Sequence, residues 1–197
     1  MPRRTTILCP DKVFHICNRS AGQLTLFSDE YEYHLFERTF VEMLELYPLQ
    51  VFAYCLMPNH WHLLVQSESP NLLSQALHWL ETTHAIRWRK TTESTGRGAV
   101  YQSRFRAHSV CKNEAFLKVA HYIERNPVAA LLCRTAEDWR WSSAYPKKPA
   151  TIKITDWPLP RPRNWSQILK IPLTKDWLAK IRLALTTQDD LGENKPA

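Results

Sequence analysis

Apolar positions between Lys12 and Arg19 form a short β-prone run, Val13, Phe14, Ile16 and Cys17, that stops at the turn-like cluster of Asn18, Arg19, Ser20, Ala21 and Gly22. Ser28, Asp29 and Glu30 then open a helix. Its apolar residues Leu35, Phe36, Phe40, Met43, Leu44 and Tyr47 recur at helical spacing until Pro48 stops the run. Two β-rich runs follow, Leu49 to Leu56 and His60 to Gln66, joined by the turn-forming Met57, Pro58 and Asn59, which predicts an antiparallel hairpin. A second helix opens at Ser69 and carries Leu72, Leu73, Ala76, Leu77, Leu80, His84 and Trp88 before the polar stretch from Thr91 to Gly98. A fourth strand is expected around Val100 to Val110. A third helix begins at Asn113 and Glu114, runs through Phe116, Leu117, Ala120 and Ile123, and ends near Pro127. Strand, helix, strand, strand, helix, strand is the order of an α+β, ferredoxin-like split βαβ arrangement around a central antiparallel sheet. The boundary is drawn after residue 146, with 1–146 as the main domain. Residues 147–197 form a basic, proline-containing C-terminal extension with a short helix at Leu173 to Leu185 and a frayed tail.

Composition narrows the chemistry. The 197 residues are 44% hydrophobic and 23% charged, enough apolar material for a real core. The four glycines, Gly22, Gly96, Gly98 and Gly192, are too scattered to build a phosphate-binding loop, so no nucleotide cofactor is expected. Cys9, Cys17, Cys55, Cys111 and Cys133 are odd in number and widely spaced, which suits reduced thiols in a cytoplasmic protein better than a disulfide framework. No apolar run approaches the roughly 18 residues of a membrane span. A net charge of +7 points toward a polyanionic partner, of which nucleic acid is the commonest.

Two places carry candidate chemistry. Alternation puts His60 and His62 on one strand face, roughly 6.5 to 7 Å apart, with Trp61, Leu63 and Val65 on the other. Two imidazoles so spaced either converge on one metal ion or simply line a half-exposed strand face. On the third helix, Tyr122 and Asn126 form an i, i+4 pair off the core stripe of Phe116, Leu117, Ala120, Ile123 and Pro127. This pair is either a site or a core-edge tyrosine beside a helix-ending asparagine. His121 lies about 100° round the helix from Tyr122, which makes it a poor base for that phenol.

The segments 55–65 (CLMPNHWHLLV), 100–105 (VYQSRF), 121–128 (HYIERNPV), 138–143 (DWRWSS) and 157–165 (WPLPRPRNW) occur in an order that resembles the REP-associated tyrosine transposases. These belong to the HUH (His, hydrophobic, His) superfamily of single-strand DNA nucleases. The resemblance spans about Val13 to Trp165. It implies the HUH nuclease fold, with His60, His62 and Asn126 as ligands of a divalent metal, Mg²⁺ or Mn²⁺, and Tyr122 as the nucleophile. His15, Asn18 and Arg19 match the family's first-strand pattern, which makes them DNA contacts; His15 reads equally as an edge-of-core histidine. Thr187 to Ala197 is acidic and lacks an aromatic, unlike the basic, aromatic-containing tails of many relatives.

Charge is unevenly spread. Residues 87–126 hold nine Lys/Arg against three acids, residues 31–86 one against six, and residues 147–182 nine against two. Arg87, Arg89, Arg104, Arg106, Arg161 and Arg163 are therefore candidate DNA contacts along a phosphate track. Trp157, Trp165 and Trp177 either stack on bases or pin the extension to the domain. The resulting expectation is a metal-dependent endonuclease and strand transferase. It would act on single-stranded or hairpin-forming repetitive DNA through a 5′-phosphotyrosine, in the manner of the family's monomers. The alternative is a non-catalytic nucleic-acid-binding module on the same fold.

Overall fold

The computed structural model describes residues 12–22, 24–94, 98–146, 152–187 and 191; the readings made of the first residues and of the acidic tail fall largely outside these. The elements are β1 (Val13–Arg19), α1 (Glu30–Leu46), β2 (Gln50–Met57), β3 (His60–Gln66), α2 (Pro70–Thr91), β4 (Arg106–Val110), α3 (Glu114–Glu124), α4 (Asn126–Ala129), a 3₁₀ turn (Ala136–Asp138), α5 (Trp165–Lys170) and α6 (Lys175–Thr187). The four strands form one antiparallel sheet in the order β2-β3-β1-β4, the split βαβ arrangement expected from the sequence. Local chemistry sets the helix starts. Asp29 accepts from the backbone N–H of Glu32, and Asn113 from that of Ala115, so each caps its helix with a side-chain oxygen.

The fourth strand is shorter than the Val100–Val110 run. Tyr101 makes a single bridge to Ser20, and the chain then leaves the ladder until Arg106. Side-chain bonding explains the departure. Trp61 Nε1–H donates to the buried Tyr101 hydroxyl at 3.2 Å, and that hydroxyl lies 2.8 Å from His84 Nδ1. Burial pushes the His84 imidazole down to about 3, so it is neutral, and the Tyr101 hydroxyl, already accepting from Trp61, has its own proton to give to Nδ1. Anchoring Tyr101 against α2 leaves residues 102–105 as a loop on the rim of the sheet.

Helices cover both faces of the sheet. Phe14, Ile16, Tyr54, Leu56, Trp61, Leu63 and Val65 join α1 and α2 in one core, as the alternation on β3 requires. On the other face Val13, Ala53, Cys55 and Leu64 pack against Phe116, Val119, Ala120 and Ile123 of α3 and against Trp165, Leu169, Ile181 and Leu185 of the C-terminal helices. That cover closes over His62, which is 3% exposed, while His60 stays half-buried.

The extension is held by named bonds. Trp157 Nε1–H donates to the Phe52 carbonyl at 2.9 Å, and Trp165 Nε1–H to Glu124 Oε2 at 2.6 Å. Arg161 sits 4.6 Å from the Trp157 ring centroid and 3.5 Å from Glu124 Oε2, and the Ser143 hydroxyl donates to Glu124 Oε1 at 2.8 Å. Trp157 and Trp165 thus pin the extension, Trp165 buried and Trp157 half-buried with Arg161 over its ring. Trp177 is half-buried against the same core, with Lys118 and Lys180 near its ring.

Glu124, fully buried at the end of α3, links three separate segments. Truncating it would strand the buried Trp165 indole N–H and leave Arg161 without its carboxylate, so Glu124→Ala is expected to lower unfolding free energy by about 3 kcal/mol. Urea denaturation tests this, and a loss below about 1 kcal/mol would contradict the clamp assigned here.

Candidate active site

Every odd-numbered position of β1 from Val13 to Arg19 faces the α3 side of the sheet, as do His60 and His62 of β3 and Arg106 and His108 of β4. The register pairs Cys17 with His62 and Arg19 with His60, and His15 with His108. Three imidazoles consequently meet under α3: the His15 centroid lies 5.1 Å from that of His62 and 4.8 Å from that of His108. His15 Nε2 is 3.0 Å from His62 Nδ1. Tyr122, half-buried on α3, lays its ring edge-on to both, 5.6 Å from His62 and 5.9 Å from His15.

The Asn126 amide lies close enough to both Tyr122 and His60 to act on the titration of each. Pro127 ends α3 one residue after Asn126, and the chain breaks at Arg125 before the short α4, so the asparagine sits at a helix junction. Its i, i+4 relation to Tyr122 survives the break. His60, His62, Tyr122 and Asn126 are thus in one place.

Burial depresses the His60 imidazole to about 4, with the Arg19 charge adding to the effect and the Asn126 hydrogen bond opposing it. His62 is held well below its ordinary value by burial, then by its neighbours His60, His108 and Arg19. Both rings are neutral near pH 7, the form that ligates metal. His60 Nδ1 is engaged by Asn59 Oδ1 at 2.7 Å and His62 Nδ1 by His15, which leaves the Nε2 atoms as the nitrogens a metal could take. Two imidazole nitrogens with the Asn126 amide oxygen form a set of mixed N and O donors that suits Mn²⁺, and Mg²⁺ with oxygen ligands completing its sphere. No cluster of three or more His, Cys, Asp or Glu residues able to hold a metal occurs among the described residues, so a metal held here would have to take its third protein donor from the amide.

The Tyr122 phenol is pushed up by burial, opposed by the charge of Arg182 and by hydrogen bonds from Asn126 and Arg182. Arg182 comes from α6, and the sequence reading missed it. Its only signal was membership of a basic stretch, because nothing local says which core face α6 will cover. Two clefts meet at Tyr122. One is bordered by Arg19, Arg106, Gln102 and both histidines of β3, the other by Arg125, Asn126 and Arg182.

The remaining candidates separate. His15 is fully buried and Asn18 is 5% exposed, so neither presents a surface to DNA. Asn18 points to the α2 side, where its Nδ2–H donates to Glu81 Oε1 at 2.6 Å and to the Ser103 carbonyl at 3.0 Å. Arg87 is clasped bidentately by Glu42 at 2.9 and 2.7 Å, joining α2 to α1. Arg87 and Arg89 lie on α2, in the layer across the sheet from Tyr122, so the basic stretch of 87–126 does not form one continuous track. Arg104 and Arg163 are exposed, and Arg161 is engaged with Glu124. His121 turns away from the phenol and places Nε2 3.1 and 2.9 Å from the Ile168 and Ile171 carbonyls, tying α3 to α5.

An antiparallel ferredoxin-like sheet, with a His-hydrophobic-His strand under a tyrosine-bearing helix, is the HUH nuclease type of fold. The family described as IS200-like transposases matches residues 11–126, and the chain belongs to that family. A protein of Haemophilus influenzae, named provisionally as a REP-associated tyrosine transposase, is 25% identical over 148 residues, covering 71% of this chain and 81% of its own. The solved structure of a REP-associated tyrosine transposase bound to a REP hairpin superposes with a TM-score of 0.60 at 16% identity, over 73% of this chain and 82% of that one. At that identity the likeness is one of fold. No helix among the described residues is long and apolar enough to cross a membrane.

Asn18 ties two elements to β1, α2 through Glu81 and the loop through the Ser103 carbonyl. Burial pushes the Glu81 carboxyl up to about 8, against the opposing pull of Asn18, Arg104 and the Phe105 N–H. Since the folded chain keeps this proton where the unfolded chain releases it, near 4.5, the associated stability is complete below that pH and is lost as pH rises toward 8. Between pH 5 and pH 8.5 the Tm of the wild type should fall further than that of Glu81→Gln. Parallel Tm profiles would contradict the assignment.

Proposed function

We propose that this chain is a metal-dependent single-strand DNA endonuclease and strand transferase whose nucleophile is Tyr122. The observation that carries the reading is the convergence of His60, His62, Asn126 and Tyr122 where two arginine-bordered clefts meet. A binding module would not need a phenol held against a pair of neutral imidazoles. The relative bound to a REP hairpin supports hairpin-forming repetitive DNA as the substrate.

The chemistry is a transesterification. The Tyr122 hydroxyl gives up its proton as its oxygen attacks the scissile phosphorus, forming a phosphotyrosine with the 5′ end, while the bond to O3′ breaks and the 3′ oxygen takes up a proton to leave as a free hydroxyl. The hydroxyl of another strand reverses the step. Bond energy is retained in the adduct, so no nucleotide is consumed, in keeping with the absence of a phosphate-binding loop from the sequence. A divalent cation bound by His60, His62 and Asn126 would neutralise charge on the non-bridging oxygens and orient the phosphate.

The chain's own residues do the rest. α3 fixes the direction of the phenol, and Asn126 restrains it from the junction with α4. Arg182 sets a fixed positive charge beside the phenol oxygen, where negative charge develops on the phosphoryl group. Arg19 and Arg106 on one side, and Arg125 and Arg182 on the other, give the strand a phosphate path through the site.

Labelled single-stranded hairpin DNA with Mn²⁺ should give a covalent adduct on a denaturing gel with the wild type and none with Tyr122→Phe. Cleavage by both proteins would point instead to attack by water, and binding without cleavage by either to a non-catalytic module. Arg182→Ala should slow adduct formation by about 100-fold while weakening DNA binding by less than about tenfold. Four arginine–phosphate contacts predict a slope of log affinity against log salt of about −3, measurable by fluorescence anisotropy.

A further inference from the structure

Buried under the proposed site is a histidine that the reaction does not touch. His15 is fully enclosed on β1, one strand over from His62, and its Nε2 lies 3.0 Å from His62 Nδ1. Its own Nδ1 is buried without a hydrogen-bond partner, and its ring stands edge-on to that of His108, 4.8 Å between centroids and 75° between planes. Neither DNA nor solvent reaches it. Only one proton can occupy the line between His15 and His62, so the two rings must adopt matched tautomers.

We infer that His15 is a positioning residue that accepts the Nδ1–H of His62 and so presents the His62 Nε2 lone pair to the metal. This rests on the proposed metal-binding reading of His62. Two tautomer pairs are open to the rings. If His15 donated instead, His62 would carry its proton on Nε2, directing an N–H dipole toward the cleft bordered by Arg19 and Arg106. Positive charge there favours a lone pair over an N–H, which selects Nδ1–H on His62. His15 then carries its own proton on Nδ1, beside the edge-on His108 ring. A ligand imidazole is oriented by the hydrogen bond of its other nitrogen, and here a second imidazole stands where a carboxylate or carbonyl commonly does that work.

Two measurements test this on the full-length chain. In the metal-free protein, long-range ¹⁵N–¹H correlation spectra of the imidazoles should show His62 as the Nδ1–H tautomer, and the Nε2–H tautomer would overturn the inference whatever the protein's activity. Mn²⁺ binding, followed by the electron paramagnetic resonance signal of the free ion, should weaken about 10- to 100-fold in His15→Leu. His15→Gln, whose side-chain amide oxygen can also accept the bond, should recover most of the affinity. Equal affinity in wild type and His15→Leu, or equal weakness in both variants, would sink the positioning role. Absence of Mn²⁺ binding by the wild type would defeat the metal reading itself, while the tautomer measurement still decides the His15–His62 arrangement.

Discussion

The site depends on burial of the second face of the sheet. A ferredoxin-like sheet with two helices on one side leaves its other side to water. Here that side is covered by the apolar stripe of α3 and, outside it, by Trp165, Leu169, Ile181 and Leu185 of the C-terminal helices. The cover brings Tyr122 over the imidazoles of β3 and strips water from them. Removing it would expose the sheet face and disperse the site, because none of the strands holds the phenol.

Burial also sets the electrostatics. His15, His60, His62 and His84 are all driven toward the neutral state, and desolvation is the largest cause in each case. Neutral imidazoles can lie close to Arg19, Arg106 and Arg182 without strong repulsion. The basic residues can therefore sit at the site's rim while the nitrogen donors remain beneath them. Glu42 and Glu124 take other arginines out of this role by pairing with Arg87 and Arg161. A basic stretch in the sequence thus divides into guanidinium groups that hold helices together and groups that border the clefts.

The C-terminal extension is part of this arrangement. Its tryptophans give their N–H groups to the Phe52 carbonyl and the Glu124 carboxyl, and α6 delivers Arg182 beside Tyr122. Residues beyond 146 complete one wall of the site that the first 130 residues begin.

Local chemistry made the elements readable. Alternation on β3 separated Trp61, Leu63 and Val65 from His60 and His62, Asp29 and Asn113 marked helix starts, and the helical period placed Tyr122 and Asn126 together off the core stripe. These features depend on neighbours a few residues apart, and the order of motifs pointed to the family. Partner choice across the fold was not readable in the same way. The withdrawal of His15 and Asn18 from the surface, the pairing of Arg87 with Glu42, the early end of β4 at an anchored Tyr101 and the arrival of Arg182 all join residues 17 to 85 positions apart. The sequence by itself determined the order of the four strands, the three helices among them and the residue types of the site. Only the tertiary structure decided which charges border the clefts and which pair with each other, because that choice is made by contacts between layers and not by periodicity within an element.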